Sequence, residues 1–374
     1  MICVGHLIRR YLRLTETFIQ AYLTHAKMHR PQVFTDVLFP QTAGNTACTY
    51  LIDQQELNRM SQSDVRFFFS QLDFPNCFYR LFCEQEIEVL HTHFGSLGFR
   101  SLQLKEKLGV PLISSFYGID ASQMISSGQY DLAFSRLFDR ADAVIALGSD
   151  MARRLCLAGC SERKIHVIHL GVDLKKISYQ PRTMPGDDSP ITLLYCGRLV
   201  KKKGIEDALY AFARVVDRYP NLVFRIVGDG PLRLSLLRRI REMDLSASVQ
   251  VLGALPHRQV LMEMARAHLF VLPSKMAHNG DMEGTPTVLL EAQASGLPVL
   301  STLHADIPEV VLDGETGFLV PEDDSNALAK KLTVLLDHPV WWSDFGRKGR
   351  AHVRQHYNIR KEIKKLESLY AAVI

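Results

Sequence analysis

The stretch of sequence that decides the fold is Glu283-Gly-Thr-Pro-Thr-Val-Leu-Leu-Glu291-Ala-Gln-Ala-Ser-Gly296-Leu-Pro-Val. Two carboxylates, Glu283 and Glu291, lie eight residues apart in it. Gly284 and Pro286 interrupt any regular element after the first carboxylate, so we expect Glu283 to lie on a loop. The residues around Glu291 form an apolar helical run, so we expect this second carboxylate near the start of a helix.

The helix predicted in this stretch has clear end signals. We expect Thr287 to cap it and Gly296 to end it after about Ser295. The free N–H groups and the positive end of such a helix suit a diphosphate. Carboxylates on either side can accept hydrogen bonds from the hydroxyls of a sugar and a ribose. The stretch therefore predicts a site for a nucleotide sugar.

Short β-branched runs alternate with helical patterns along the rest of the chain, which is typical of an α/β protein with parallel sheets. In the second half we predict strands at 191–196, 223–227, 249–252, 269–272, 298–301 and 318–320. In the first half the clearest predicted strands are 89–91, 112–116, 143–147 and 165–169. A linker rich in Pro, Gly and Asp is predicted at 178–190. We therefore expect a first domain at 1–180, a second at 190–355 and a last helical segment at 356–374.

The bulk composition excludes several classes of protein. With 374 residues, 47% hydrophobic and 22% charged, the chain reads as a soluble globular protein of two domains. It has no apolar run of the roughly 18–20 residues that a membrane helix needs. The net charge of +4 does not indicate a nucleic-acid partner. Basic residues near both termini form either solvated faces or a surface that rests on anionic lipid. The seven scattered cysteines indicate reduced thiols and no zinc site.

Several ordered motifs resemble those of the retaining family 4 glycosyltransferases, which have the GT-B fold. The quoted stretch resembles their donor-site motif. The other motifs that fall in the family's order are Gly197-Arg198…Lys203-Gly204, Val227-Gly228-Asp-Gly230-Pro231, Gly253-Ala-Leu-Pro-His257, Gly314-Glu-Thr-Gly317, His91-Thr-His93-Phe-Gly95 and Phe116-Tyr117-Gly118. Thr15-Glu-Thr-Phe-Ile19 resembles a run of the colanic-acid-type exopolysaccharide branch. The resemblance covers nearly the whole chain and is strongest from 191 to 321.

The resemblance implies two Rossmann-like domains whose parallel sheets face a central cleft, with the last helix returning to the first domain. It implies transfer of a hexose from a UDP- or GDP-linked sugar to a hydroxyl of a saccharide or lipid-linked acceptor, with retention of the anomeric configuration. No separate cofactor is expected. The protein is expected in the cytoplasm, either free or resting on the inner face of the membrane. Two alternatives stay open: a non-catalytic subunit that binds nucleotide sugars, and a hydrolysing epimerase on the same fold.

Two cations follow the first predicted strand of the second domain. Ligands bind beyond the carboxyl ends of strands in an open parallel sheet, so Arg198 and Lys203 are well placed to meet one. The resemblance implies that they stabilise the charge of the departing diphosphate. A solvated lysine-rich turn is the alternative. Because these cations would replace a metal ion, we expect none, although Asp281 and Glu283 have the spacing of a weak metal-binding pair.

The resemblance also assigns different parts of the donor to different residues of the second domain. It implies that Glu283 binds the transferred sugar and Glu291 the ribose. An ordinary surface carboxylate is the alternative for Glu283, and stabilisation of the first helical turn is the alternative for Glu291. The remaining donor contacts implied by the resemblance are Gly228, Leu255, Thr285, Pro286 and Thr287. No nicotinamide or flavin site is expected after Gly228, because Arg233 replaces the third glycine of the dinucleotide fingerprint.

In the first domain, the resemblance implies that His93 and Tyr117 approach the donor sugar. We expect His91 and His93 on alternate faces of their strand, so that one of them points into the cleft. Many family members carry His at the position of Tyr117; a tyrosine can donate a hydrogen bond but is no acid–base group near neutral pH. The segment Arg9-Arg-Tyr-Leu-Arg13-Leu14 replaces the family's glycine-rich turn, and Arg13 is a candidate to supply charge there.

Overall fold

The chain forms two compact units. The computed structural model describes residues 1–8, 10–11, 17–35, 37–38, 48–51, 79–186 and 189–374. One unit comprises Met1–Leu170 with Ile359–Ile374, and the other comprises Gly171–Asn358. The sequence analysis placed 171–180 with the first domain, but Val172 and Ile177 are buried in the core of the second unit. Most of the segment Arg9–Leu14, including Arg13, lies outside the described residues.

The first unit is built on a seven-stranded parallel sheet. Its strands are β1 (Ile2–Leu7), β3 (His29–Thr35), β5 (Cys48–Leu51), β6 (Val89–His93), β7 (Leu112–Ser115), β8 (Ala143–Ala146) and β9 (Ile165–Val167). Their order is β5-β3-β1-β6-β7-β8-β9, and the short strands β2 (Arg10–Tyr11) and β4 (Val37–Leu38) pair separately. The chain thus moves outward from β1 on one side and then from β6 on the other, as in Rossmann folds. Between β1 and β6 lies the switch point of this sheet.

Helices accompany the strands of the first unit. They are Thr17–His25, Tyr79–Glu84, Gly95–Arg100, Leu102–Leu108, Gln123–Ser126, Asp131–Arg140, Ser149–Leu157 and Ile359–Val373, with a 3₁₀ turn at Glu162–Lys164. The last of these helices packs on this unit although it comes from the end of the chain. Its Leu366, Leu369 and Tyr370 are buried with Val4 and Val89 of the sheet.

The second unit repeats the same topology with six parallel strands. These are β10 (Ile191–Cys196), β11 (Leu222–Val227), β12 (Val249–Gly253), β13 (Leu269–Leu272), β14 (Val299–Thr302) and β15 (Gly317–Val320). Their order is β12-β11-β10-β13-β14-β15, so the switch point lies between β10 and β13. Every strand predicted here matches an observed strand to within one residue at either end. The loops that follow β10, β11 and β13 therefore meet at the carboxyl edge of the sheet.

The helices of the second unit cover its sheet. They are Ile205–Ala213, Arg233–Glu242, His257–Arg266, Thr287–Ser295, Ile307–Val310, Ser325–Asp337 and Val340–His356, with 3₁₀ turns at Lys201–Lys203 and Val216–Arg218. One continuous buried cluster runs from Val172 to Tyr357 and includes both faces of the strands. Among the described residues, we find no helix with the length and hydrophobicity that a membrane span requires.

Candidate active site

The central feature of the site is an ion pair between two predicted donor-site residues. Lys203 ends the 3₁₀ turn after β10, and its Nζ lies 2.9 Å from Oε1 of Glu283 in the loop after β13. The two side chains are only 13% and 8% exposed. Burial would raise the pKa of Glu283, but the charges of Lys203 and Lys202 outweigh burial and hold this pKa below its ordinary value. The site therefore holds an ionised carboxylate against a cation, in a place largely shielded from water.

The two loops that carry this pair are packed directly on each other. Gly204 follows Lys203 with φ 64°, and a Cβ built on it would lie 1.8 Å from the carbonyl oxygen of Pro273. A side chain at this position would therefore force the loops apart. Lys202 adds a second link, because its Nζ donates to Asp281 Oδ1 at 2.9 Å and to the carbonyl oxygen of Met282 at 3.0 Å. Since Asp281 is paired with a lysine, the weak metal-binding alternative for Asp281 and Glu283 loses its support.

Arg198 and Gly228 lie on the neighbouring turn. Arg198 follows β10 and is exposed, so its guanidinium is accessible to a ligand from solvent. Gly228 follows β11 with φ 143°, and a Cβ on it would lie 1.9 Å from the carbonyl oxygen of Gly197. Only glycine permits this approach of the backbone at Gly228 to the turn that carries Arg198.

The helix Thr287–Ser295 ends where it was predicted, but it begins one residue earlier and its cap differs. Thr287 is the first helical residue, Pro286 occupies the N-cap position, and no side chain caps the helix. The expectation that Thr287 is the cap is therefore wrong. The N–H of Leu289 in the first turn donates to the carbonyl oxygen of Pro286 at 3.0 Å, and no N-cap side chain uses the N–H groups of Thr287 and Val288 that precede it. Thr285 and Pro286 are buried immediately before the helix, and Gly296 ends it with φ 92°.

Glu291 lies in the second turn of this helix, because it is the fifth helical residue. The helix-dipole alternative does not fit, since that effect is confined to the first turn. Oε1 of Glu291 lies 2.7 Å from Nε2 of His257, and this hydrogen bond is the main cause that raises the pKa of His257. The sequence analysis quoted His257 within a motif but gave it no role. Leu255, two residues earlier, is half-buried against the core of the second unit.

The predicted residues of the first unit form a separate cluster. Nδ1 of His93 lies 2.5 Å from the hydroxyl of Tyr117, and Nε2 of His93 lies 3.2 Å from Nδ1 of His6. Burial lowers the pKa of His93 to about 3, so its ring is neutral. The expectation that His91 and His93 lie on alternate faces is wrong. Residues two apart on a strand share a face, and these two rings stack with centroids 4.5 Å apart.

This histidine cluster was not predicted, and its nitrogens come close enough to be considered as metal ligands. One ring nitrogen from each of His6, His91 and His93 lies within 4.8 Å of the others. Hydrogen bonds already account for the arrangement, however. His91 contacts the hydroxyls of Tyr370 at 2.6 Å and Ser115 at 2.7 Å, and only Nε2 of His6 lacks a partner in this cluster. The expectation of no metal site stays a prediction.

Comparisons with known proteins identify the family. Residues 24–176 match the family model "Glycosyltransferase Family 4", and residues 181–352 match "Glycosyl transferases group 1". The putative colanic acid biosynthesis glycosyltransferase WcaL of Salmonella typhimurium is 34% identical over 291 residues, which cover 76% of this chain and 71% of that protein. The chain belongs to glycosyltransferase family 4. The amylovoran biosynthesis glycosyltransferase AmsK of Erwinia amylovora is 31% identical over 250 residues, 66% of this chain and 61% of that protein.

Solved structures show the fold. Anabaena HepE in complex with UDP and glucose superposes with a TM-score of 0.79 at 15% identity, with all of both chains covered. Sucrose-phosphate synthase from Thermosynechococcus elongatus gives the same TM-score at 19% identity, covering 100% of this chain and 99% of the synthase. The predicted GT-B fold and the predicted family, including its exopolysaccharide branch, are confirmed.

Proposed function

We propose that this family 4 glycosyltransferase is a retaining, metal-independent hexosyltransferase that uses a UDP- or GDP-linked sugar. The observation that carries this proposal is the buried pair of ionised Glu283 and Lys203, beside the uncapped start of the Thr287–Ser295 helix. A carboxylate can bind the hydroxyls of a sugar, while a lysine and free amide N–H groups can bind phosphate oxygens. A sugar and a diphosphate are the two halves of such a donor.

The residues of the second unit would act on the leaving group. As the bond between the anomeric carbon and the diphosphate oxygen breaks, Lys203 and Arg198 would stabilise the growing negative charge. The new bond would form from the acceptor hydroxyl to the same face of the sugar, and the departing phosphate oxygen would take up the hydroxyl proton. Lys203 and Arg198 would thus supply the positive charge that a divalent ion could otherwise provide, which supports metal independence.

Glu291 and Glu283 would bind different parts of the donor. Glu291, already paired with His257, would accept hydrogen bonds from the ribose, and Glu283 from the transferred sugar. Gly228 and Leu255 would bring backbone groups to the nucleotide. In the first unit, both ring nitrogens of neutral His93 are already engaged by Tyr117 and His6. His93 would therefore orient Tyr117, whose hydroxyl would bind the sugar or the acceptor without acid–base chemistry.

The proposed pathway is the synthesis of a bacterial polysaccharide or glycolipid. Its support is that the relatives WcaL and AmsK are described as glycosyltransferases of colanic acid and amylovoran biosynthesis. The acceptor would then be a saccharide or a lipid-linked saccharide at the cytoplasmic face of the membrane. Exposed Lys361 and Lys364 on the last helix are candidates to contact anionic lipid. Co-sedimentation with anionic and with neutral vesicles would test that contact.

The deciding experiment is a donor panel. The purified protein is incubated with UDP- and GDP-hexoses and with candidate acceptors, and the released nucleotide and the glycosylated product are both measured. We expect one donor to be transferred, with the product linkage in the donor's anomeric configuration by NMR. Nucleotide binding without turnover would instead support the non-catalytic subunit, and epimerised free sugar would support the epimerase. An inverted linkage would overturn retention.

A further inference from the structure

The loop that carries Glu283 is tied at both ends to one carboxylate. We call residues 276–283 the donor loop. The N–H of Met276 at its beginning donates to Oε2 of Glu322 at 2.7 Å. The other oxygen of Glu322 lies 2.7 Å from Nδ1 of His304, and Nε2 of His304 lies 3.1 Å from the N–H of Glu283. Glu322 therefore contacts the first residue of the loop directly and the last residue through His304.

The hydrogen bonds define the protonation state of His304. A backbone N–H can only donate, so Nε2 of His304 accepts from Glu283 and Nδ1 carries the hydrogen that is donated to Glu322. A protonated imidazole would direct a second N–H at the N–H of Glu283 and break this contact. His304 is completely buried, so water cannot replace either partner. The ring thus makes both bonds only as one neutral tautomer.

Glu322, the acceptor that orients His304, has a defined ionisation state. Burial would raise the pKa of Glu322, but the hydrogen bonds from His304 and from the Met276 N–H outweigh burial and hold that pKa below its ordinary value. Glu322 is therefore ionised near neutral pH. Its hydrogen bonds are of the charge-assisted kind, which are roughly twice as strong as neutral ones.

These two residues lie two positions beyond the ends of two paired strands. His304 follows β14 and Glu322 follows β15, and these strands are paired in register up to Thr302 and Val320. The donor loop follows the next strand, β13, in the same sheet. Side chains anchored directly after paired strands can fix a neighbouring loop more accurately than contacts within that loop can.

We propose that His304 and Glu322 are positioning residues that hold the donor loop, and through it the carboxylate of Glu283, at the sugar of the donor. The proposal rests on the proposed function of Glu283. Neither residue is assigned to touch the substrate. A misplacement of a reacting or binding group by about 1 Å can cost on the order of 10²-fold in rate. The defect should therefore appear in turnover of the intact donor, while the binding of the bare nucleotide stays normal.

The first experiment compares His304→Leu with His304→Gln. We expect His304→Leu to lower kcat for the intact donor by about tenfold or more, because the buried N–H of Glu283 loses its acceptor. Its affinity for UDP or GDP, whichever the wild type binds, should stay unchanged by calorimetry. His304→Gln should recover most of the activity, because an amide oxygen can accept the same N–H. Glu322→Gln should give a partial loss, and Glu315→Gln, which changes an exposed carboxylate at the other end of β15, is the matched control.

A second measurement needs no turnover. Hydrogen exchange of the amides in the donor loop should accelerate in His304→Leu and, less, in Glu322→Gln, but not in Glu315→Gln. Faster loop exchange in a protein that transfers no sugar would sustain the positioning role and refute the proposed function. Unchanged exchange, or an equal loss of nucleotide affinity and turnover, would overturn the positioning role. If His304→Leu does not fold, the same two readouts on Glu322→Gln decide the matter.

Discussion

Replacing Lys203 by alanine tests the proposed site most directly, because it removes one member of a buried ion pair. Breaking a buried pair in this way costs about 3–5 kcal/mol in the free energy of unfolding. The carboxylate of Glu283 can limit that cost by taking up a proton. From an ordinary pKa of 4.5, protonation at pH 7 costs about 3.4 kcal/mol, at about 1.36 kcal/mol for each pH unit. We therefore expect Lys203→Ala to destabilise the second unit by about 3 kcal/mol.

The same substitution should also lower kcat, and this loss is separate from the loss of stability. A charge that stabilises the leaving group contributes on the order of 10²-fold or more to kcat. Urea unfolding and steady-state kinetics with the donor found in the panel measure the two effects separately. Lys203→Ala/Glu283→Gln should regain most of the lost stability, because no unpaired charge stays buried, but it should regain no activity.

Lys201 provides the matched control. It lies in the same 3₁₀ turn, its Nζ pairs with Glu206 at 2.6 Å, and its side chain is 51% exposed. An exposed pair contributes only about 0–1 kcal/mol, so Lys201→Ala should leave both stability and kcat close to wild type. If Lys203→Ala behaves like Lys201→Ala in both assays, the reasoning about the buried pair and about the diphosphate is refuted.

Three further predictions concern the donor, the metal and pH. Glu291→Gln should weaken the binding of UDP or GDP, measured by calorimetry, by about tenfold. Glu283→Gln should leave that affinity unchanged and lower the turnover of the sugar donor. An equal loss of nucleotide affinity in both variants would contradict this division. EDTA should leave turnover unchanged, and a rate restored by Mg²⁺ or Mn²⁺ would refute metal independence. Burial lowers the pKa of His93 from its ordinary value of 6.5 to about 3 in the folded protein. Between about pH 3 and 6.5 the unfolded chain therefore binds more protons at this residue than the folded chain does. The free energy of unfolding should rise with pH across that window. Urea midpoints of wild type and His93→Asn should converge as the pH falls; parallel curves would exclude this contribution.

Local sequence signals account for the accuracy of the predictions in the second unit. Its strands are short runs of β-branched and apolar residues, and Gly296 ends the Thr287–Ser295 helix in the left-handed conformation that favours glycine. β3 illustrates the opposite case. It carries Pro31, which cannot donate to a ladder, yet it pairs with β1 and β5 on both sides. Pairing partners overrode the local signal there, and no strand had been predicted.

The contacts between the site residues could not be predicted from the sequence. Lys203 and Glu283 were each assigned a role, but they are 80 residues apart and meet only because β10 and β13 are neighbours in the sheet. The contact of Glu291 with His257 likewise joins two separate helices. The wrong prediction that His91 and His93 lie on alternate faces could have been avoided from the sequence alone. Side chains on a strand repeat every two residues, so residues two apart lie on one face.

The donor loop illustrates how buried polar groups can specify a position. Lys202 binds Asp281 within it, Lys275 before it pairs with Asp207 and Asp323, and Glu322 holds its first residue. Buried ion pairs are weak evidence for stability, because their desolvation offsets much of their attraction. They are, however, sensitive to geometry, since each donor must meet its acceptor within a few tenths of an ångström. A loop held in this way has few alternative positions, which suits the role proposed for Glu283 in distinguishing one hexose hydroxyl pattern from another. We therefore infer that the ion pairs around Glu283 serve mainly to position its carboxylate and contribute little to the stability of the fold.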